Sequence, residues 1–75
     1  MANVSLTGGE TGSNIALSGN DALFTVTDGA VHFSTDGGTT QVRFAAGEKV
    51  VFSDGDTVTP INNAPVSAAF SHMAF

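Results

Sequence analysis

Five glycine-bearing turns cut this chain into short pieces: Gly19-Asn20, Asp28-Gly29, Asp36-Gly37-Gly38, Ala46-Gly47-Glu48 and Asp54-Gly55. Between them, apolar and polar residues alternate with a period of two, the pattern of half-buried strands. Runs with helical period are nearly absent. The chain therefore reads as all-β, with strands joined by tight antiparallel turns.

The register of those turns is constrained. A slip of one residue sends every side chain to the other face, so a correct pairing sets apolar against apolar. Asp28-Gly29, read as a type I′ loop, sets Val26 against Val31 and Phe24 against Phe33. Gly19-Asn20, read as type II′, sets Leu17 against Ala22 and Ile15 against Phe24. A four-residue loop over 36–39 sets Phe33 against Val42 and Val31 against Phe44. A three-residue loop over 46–48 sets Phe44 against Val50 and Val42 against Phe52. All four place Ile15, Leu17, Phe24, Val26, Val31, Phe33, Val42, Phe44, Val50 and Phe52 on one face. The opposite face carries Thr25, Thr27, His32, Ser34, Gln41 and Arg43. Val51 breaks that polarity, which predicts that the strand at 49–53 is buried on both faces or passes to a second sheet.

A five-strand meander with an apolar face has to be covered. The segments left to do so are Val4–Leu6, Val58–Ile61 and Val66–Phe75. Pro60 and Pro65 bracket a piece read as irregular. In the last ten residues Val66, Ala68, Phe70 and His72 alternate as in a strand. Val66, Ala69, Phe70 and Met73 also fit a short helix, with Pro65 at its first position; strand is the preferred reading. Gly8 to Asn14 reads as a loop and hinge. The expected fold is a small antiparallel β-sandwich or jelly-roll-like barrel. Its expected parts are an N-terminal arm and Gly-rich loop (1–13), a β body (14–59), and a C-terminal loop and covering strand or arm (60–75).

Size and composition limit what such a body can do. Its 75 residues make one domain, and a chain of that length buries only about 60% of its extended surface. Small scaffolds usually add a disulfide, a metal or a partner subunit. With no Cys there is no disulfide, thiolate zinc site or Cys nucleophile, which leaves oligomerisation as the open route. Arg43 and Lys49 are the only basic side chains, against seven carboxylates and a net charge of −5. Two cations fall short of the ~6–10 phosphate contacts of an ordinary DNA site, so nucleic acid is rejected as a partner. No apolar run approaches the ~18 residues of a membrane helix, and no membrane partner is expected. Met1 to Val4 lacks the basic and apolar regions of a signal peptide, so no secretory leader is expected. Charged residues make up 12%, about half the ~25% of average chains. A weakly charged, hydroxyl-rich surface suits contact with other protein.

The search for chemistry finds little. His32 and His72 are the only imidazoles, and neither lies in a Ser-Asp setting that would make a triad. His32 is expected as a cross-strand neighbour of Thr25 and Arg43. Asp21, Asp28, Asp36, Asp54 and Asp56 raise the question of calcium, but their spacing does not match the EF-hand loop. Asp-Gly is also a favoured turn pair. Glu10 and Glu48 stand alone, and Gly8-Gly9-Glu10-Thr11-Gly12 lacks the Lys of a phosphate loop. There is no Trp or Tyr to make a sugar-binding platform. No catalytic, cofactor or metal residue is expected, and the chain is read as a non-enzyme. Its termini are unusually apolar, so Val4, Leu6, Phe70, Met73 and Phe75 are expected as assembly contacts.

The stretch Ala30-Val31-His32-Phe33-Ser34-Thr35-Asp36-Gly37-Gly38-Thr39-Thr40, followed by Ala46-Gly47-Glu48-Lys49-Val50-Val51-Phe52, resembles small all-β virion proteins of tailed bacteriophages, of the capsid decoration or cement type. The pattern spans about residues 22–59. The resemblance implies a homo-oligomer, a trimer by preference, that binds the major capsid protein and reinforces the capsid surface, without catalysis. The alternatives are another virion part (tail, fibre tip or head-to-tail component), or a β-module that binds a ligand, a glycan or calcium.

Overall fold

A computed structural model describes all residues, 1–75. It contains eight strands and no helix: β1 (Ala2–Leu6), β2 (Ile15–Ala16), β3 (Ala22–Asp28), β4 (Ala30–Ser34), β5 (Val42–Ala45), β6 (Lys49–Phe52), β7 (Thr57–Ile61) and β8 (Ala68–Ala74). They form two four-stranded antiparallel sheets, ordered β1-β8-β3-β6 and β2-β7-β4-β5. The sheets face each other as a jelly roll.

This topology arises from two long hairpins, each bent in half. In the inner one, β3 and β4 run on as a single bent strand opposite β5 and β6. Val31 pairs with Phe44 and Phe33 with Val42 in one sheet, while Phe24 pairs with Val50 and Ala22 with Phe52 in the other. Backbone hydrogen bonds continue around the bend: Ala46 N–H donates to Gly29 O, Gly47 N–H to Val26 O, and Val26 N–H to Glu48 O. Gly29 makes the corner feasible. Its φ is +67°, and a Cβ there would lie 3.1 Å from Ser67 O. The outer hairpin repeats the device. β1 pairs with β8 and β2 with β7, and the bend is bridged by Gly9 N–H to Ala64 O, Gly12 N–H to Pro60 O, and Asn62 N–H to Glu10 O. Asn62, fully buried, locks this bend. Its side-chain amide donates to Thr7 O at 3.0 Å and to Val66 O at 2.7 Å.

Several expectations are corrected here. Only the 36–39 loop is a true hairpin tip, with the expected register. Asp28-Gly29 and Ala46-Gly47-Glu48 are corners between the two sheets, so β3 and β4 are not hydrogen-bonded partners. Gly19-Asn20 also links the sheets, and Ile15 pairs with Val58 rather than Phe24. Pro60 and Ile61 belong to β7 and are not irregular. The last residues form strand β8, as the preferred reading had it. β8 lies inside its sheet between β1 and β3 and is no detached arm, and β1 is a sheet strand as well. Strands from 1–13, 14–59 and 60–75 share sheets.

The division into faces nevertheless persists. Phe24, Val26, Val31 and Phe33 are core residues, and Ile15, Leu17, Phe44, Val50 and Phe52 pack against them. Side-chain parity is preserved when a meander bends over on itself, because bending brings the apolar face into contact with itself. Phe24 and Phe33, expected as cross-strand partners, instead meet across the sandwich at 5.3 Å with rings at 74°. Phe24 also contacts Phe52 at 5.2 Å and Phe70 at 5.9 Å. Truncating it removes the residue that joins both layers. Phe24→Ala is expected to lower stability by about 3–5 kcal/mol in urea unfolding, whereas Phe75→Ala, at a largely exposed terminus, should change it little.

Candidate functional site

The edges of the two sheets create an opening. β5 borders one sheet and β6 the other, and the 46–48 turn connects them. Away from that turn they leave a cleft of about 190 Å³ lined by Phe33, Val42, Phe44, Val50 and Phe52, with Ser34, Thr35 and Thr40 at one end. The apolar alternation of β5 and β6 supplies the walls. Val42, expected inside, is 54% exposed at this opening, because β5 has no neighbouring strand on that side to cover it.

The polar end of the cleft is tied together by hydrogen bonds. Ser34 Oγ–H donates to Asp36 Oδ1 at 2.7 Å and accepts from Gly38 N–H at 2.9 Å. Thr40 N–H donates to Asp36 Oδ1 at 2.9 Å. These bonds, led by the Thr40 backbone, hold the Asp36 carboxyl down to about 2. Their stabilising effect is complete above pH ~3.8 and fades as pH falls through about 2. Asp36→Asn is expected to flatten that acid limb of the stability curve, read by thermal melts between pH 4 and 2.

The expected assembly contacts do not form one group. Leu6 and Phe70 are 2% and 1% exposed and belong to the core. They are corrected accordingly, since residues that join the two sheets have no surface to offer a partner. Val4 is half-buried against the same core. Met73 and Phe75 are exposed. Phe75 is tied down by its backbone, with its N–H donating to Asp21 O and its carbonyl accepting from Asn20 Nδ2.

The ionisable groups are dispersed. His32 lies on the outward side of β4 opposite Arg43, with Nδ1 buried and without a hydrogen-bond partner. His72 lies at the end of the inward row of β8, its ring stacked on Phe24 at 5.2 Å and 18°. The carboxylates mostly serve turns. Asp54 Oδ1 accepts from Gly19 N–H, Asp21 Oδ1 from Asp54 N–H, and Asp56 Oδ2 from Ser53 N–H. Glu10 and Glu48 likewise accept from Thr7 and Ala45 N–H. No group of three or more His, Cys, Asp or Glu converges to hold a metal ion, so these residues do not fit a protein-held metal centre. Burial, and secondarily the Met1 ammonium, push His72 below its ordinary value of 6.5. The folded state then binds fewer protons than the unfolded one, so stability is full above pH ~6.5 and falls as pH drops through the folded value. His72→Phe keeps a stacking ring and is expected to abolish that part of the pH dependence in melts from pH 7.5 to 5.

Comparison places the fold. No family model and no curated protein matches the chain. A predicted oxalate decarboxylase from Thermotoga maritima has a similar structure, with TM-score 0.80 and 16% identity over 97% of this chain and 62% of that one. The Drosophila melanogaster CENP-C cupin domain gives 0.75 and 12%, over 97% and 58%. A de novo designed double-stranded β-helix gives 0.76 and 19%, over 99% and 96%. The chain thus spans about three-fifths of the two natural proteins. The shared architecture is the cupin-type double-stranded β-helix. It overturns the capsid-decoration reading. The DGGT tip and AGE turn that suggested it are a hairpin end and a corner of this fold.

Proposed function

We propose that the chain is a cupin-type binding module that works without catalysis and takes a small apolar group into the cleft between β5 and β6. One observation carries the reading: five apolar side chains line that cleft, and no ionisable group lines it. Binding there would release water from apolar walls, the main source of affinity in such pockets. Its volume is of the order of the ~150 Å³ cavity that accommodates benzene in a protein core. The Ser34 hydroxyl is engaged with Asp36 and Gly38, which leaves it poorly placed as a nucleophile. The predicted oxalate decarboxylase among the structural neighbours supports the scaffold and not a reaction, since fold and chemistry separate readily.

Titration with toluene, followed by backbone and methyl NMR, is expected to shift signals of Val42, Phe44, Val50 and Phe52 together. Val42→Phe, at a position exposed enough to accept the larger ring, should fill the mouth and weaken binding at least tenfold. Shifts spread over the whole chain, or binding unaffected by Val42→Phe, would overturn the reading.

A further inference from the structure

The outward face of the β1-β8-β3-β6 sheet carries polar side chains whose hydrogen-bonding capacity is unused. Ser71 of β8 stands opposite Thr25 of β3, and Thr25 opposite Lys49 of β6. Neighbouring strands lie about 4.8 Å apart, so three donors stand side by side within reach of one small group. Their side chains make no hydrogen bond within the chain, unlike the carboxylates and amides that hold the turns. Ser71 is the sharpest case. It is only 6% exposed, and polar side chains covered to that degree nearly always have a partner. It instead lines a shallow groove of about 250 Å³. Thr25 and Lys49 line the same groove, and Met1, Leu23 and Met73 form its apolar wall.

We propose that this groove binds a small amphiphilic oxyanion, a carboxylate or phosphate ester on a short alkyl chain. The headgroup accepts from the Ser71 and Thr25 hydroxyls and the Lys49 ammonium, and the alkyl chain lies along Leu23 and Met73. The distribution of charge favours an anion. The chain carries seven carboxylates against two basic side chains, yet the groove lining includes one of those two and no carboxylate. Six of the seven carboxylates lie in turns and loops, and Asp28 ends β3. Hydrogen bonds to a charged acceptor are roughly twice as strong as those between neutral groups, so an oxyanion gains most from idle donors. Lys49 lies on the edge strand β6, where its stem can cover the groove while its ammonium keeps contact with water. The groove exceeds the ~150 Å³ cavity that accommodates benzene, which leaves room for a headgroup and a short chain. A free molecule is favoured over a bilayer presenting the same headgroup, because a net charge of −5 is repelled by an anionic membrane. This site is separate from the cleft. Lys49 and Val50 are consecutive, and strand alternation sends Lys49 to the groove and Val50 to the cleft.

The test is titration of the full chain with octanoate, below its micelle concentration, followed by NMR. Signals of Leu23, Thr25, Lys49, Ser71 and Met73 are expected to shift together. Lys49→Gln should weaken binding about tenfold and Ser71→Ala about threefold, the ordinary worth of a charged and a neutral donor. Circular dichroism is expected to show both variants folded, since neither side chain is engaged within the chain. Octyl phosphate should bind as octanoate does, and octanol about tenfold more weakly. Val42→Phe, which fills the mouth of the separate cleft, should leave octanoate binding unchanged. Phosphatidylglycerol vesicles should not carry the protein down on sedimentation. Octanol binding as tightly as octanoate, or binding indifferent to Lys49→Gln, would overturn the proposal. So would shifts confined to the cleft, co-sedimentation with the vesicles, or the same groove shifts on concentrating the protein without octanoate, which would report a second copy on this face.

Discussion

Phe24 is the contact on which the two layers depend. Its ring meets Phe33 across the sandwich and Phe52, Phe70 and His72 within its own sheet. Aromatic pairs of this geometry add to the gain from burial alone. The cluster also explains why the long hairpins bend. A flat ladder through β3 and β4 would leave these rings on an open face, and bending at Gly29 closes that face on itself. The polar groups at the bends are then satisfied by backbone bonds between the paired corners and by the Asn62 amide.

The same bending produces the cleft and separates it from the outward face of the β1-β8-β3-β6 sheet. β5 and β6 are consecutive in the chain but lie at the edges of different sheets, so their inward residues face a gap that no further strand fills. That outward face lies on the other side of β6. Val50 and Val51 are neighbours in sequence, and strand alternation directs one to each surface. A one-residue step thus serves both the cleft and the outer surface.

The chemistry of the site is apolar because the polar inventory is spent on turns. Asp21, Asp36, Asp54 and Asp56, with Glu10 and Glu48, accept backbone N–H groups and hold loops in place. That is why a chain rich in Asp-Gly pairs can lack a metal-binding cluster.

The alternation of residues determined much by itself. It marked all-β structure, the register of the 36–39 hairpin, and which of Phe24, Val26, Val31, Phe33, Phe44, Val50 and Phe52 turn inward, because parity along a strand is local and survives bending. It also marked Val51 as out of pattern. It could not determine which strands share hydrogen bonds. Asp28-Gly29 has the residues of a hairpin turn and also those of a corner, and the choice depends on whether the apolar faces find each other across a sandwich. Nor could it tell Leu6 and Phe70, which lie in the core, from Met73 and Phe75, which reach the surface. All four are apolar residues near a terminus, and only the insertion of β8 between β1 and β3 decides which of them is covered.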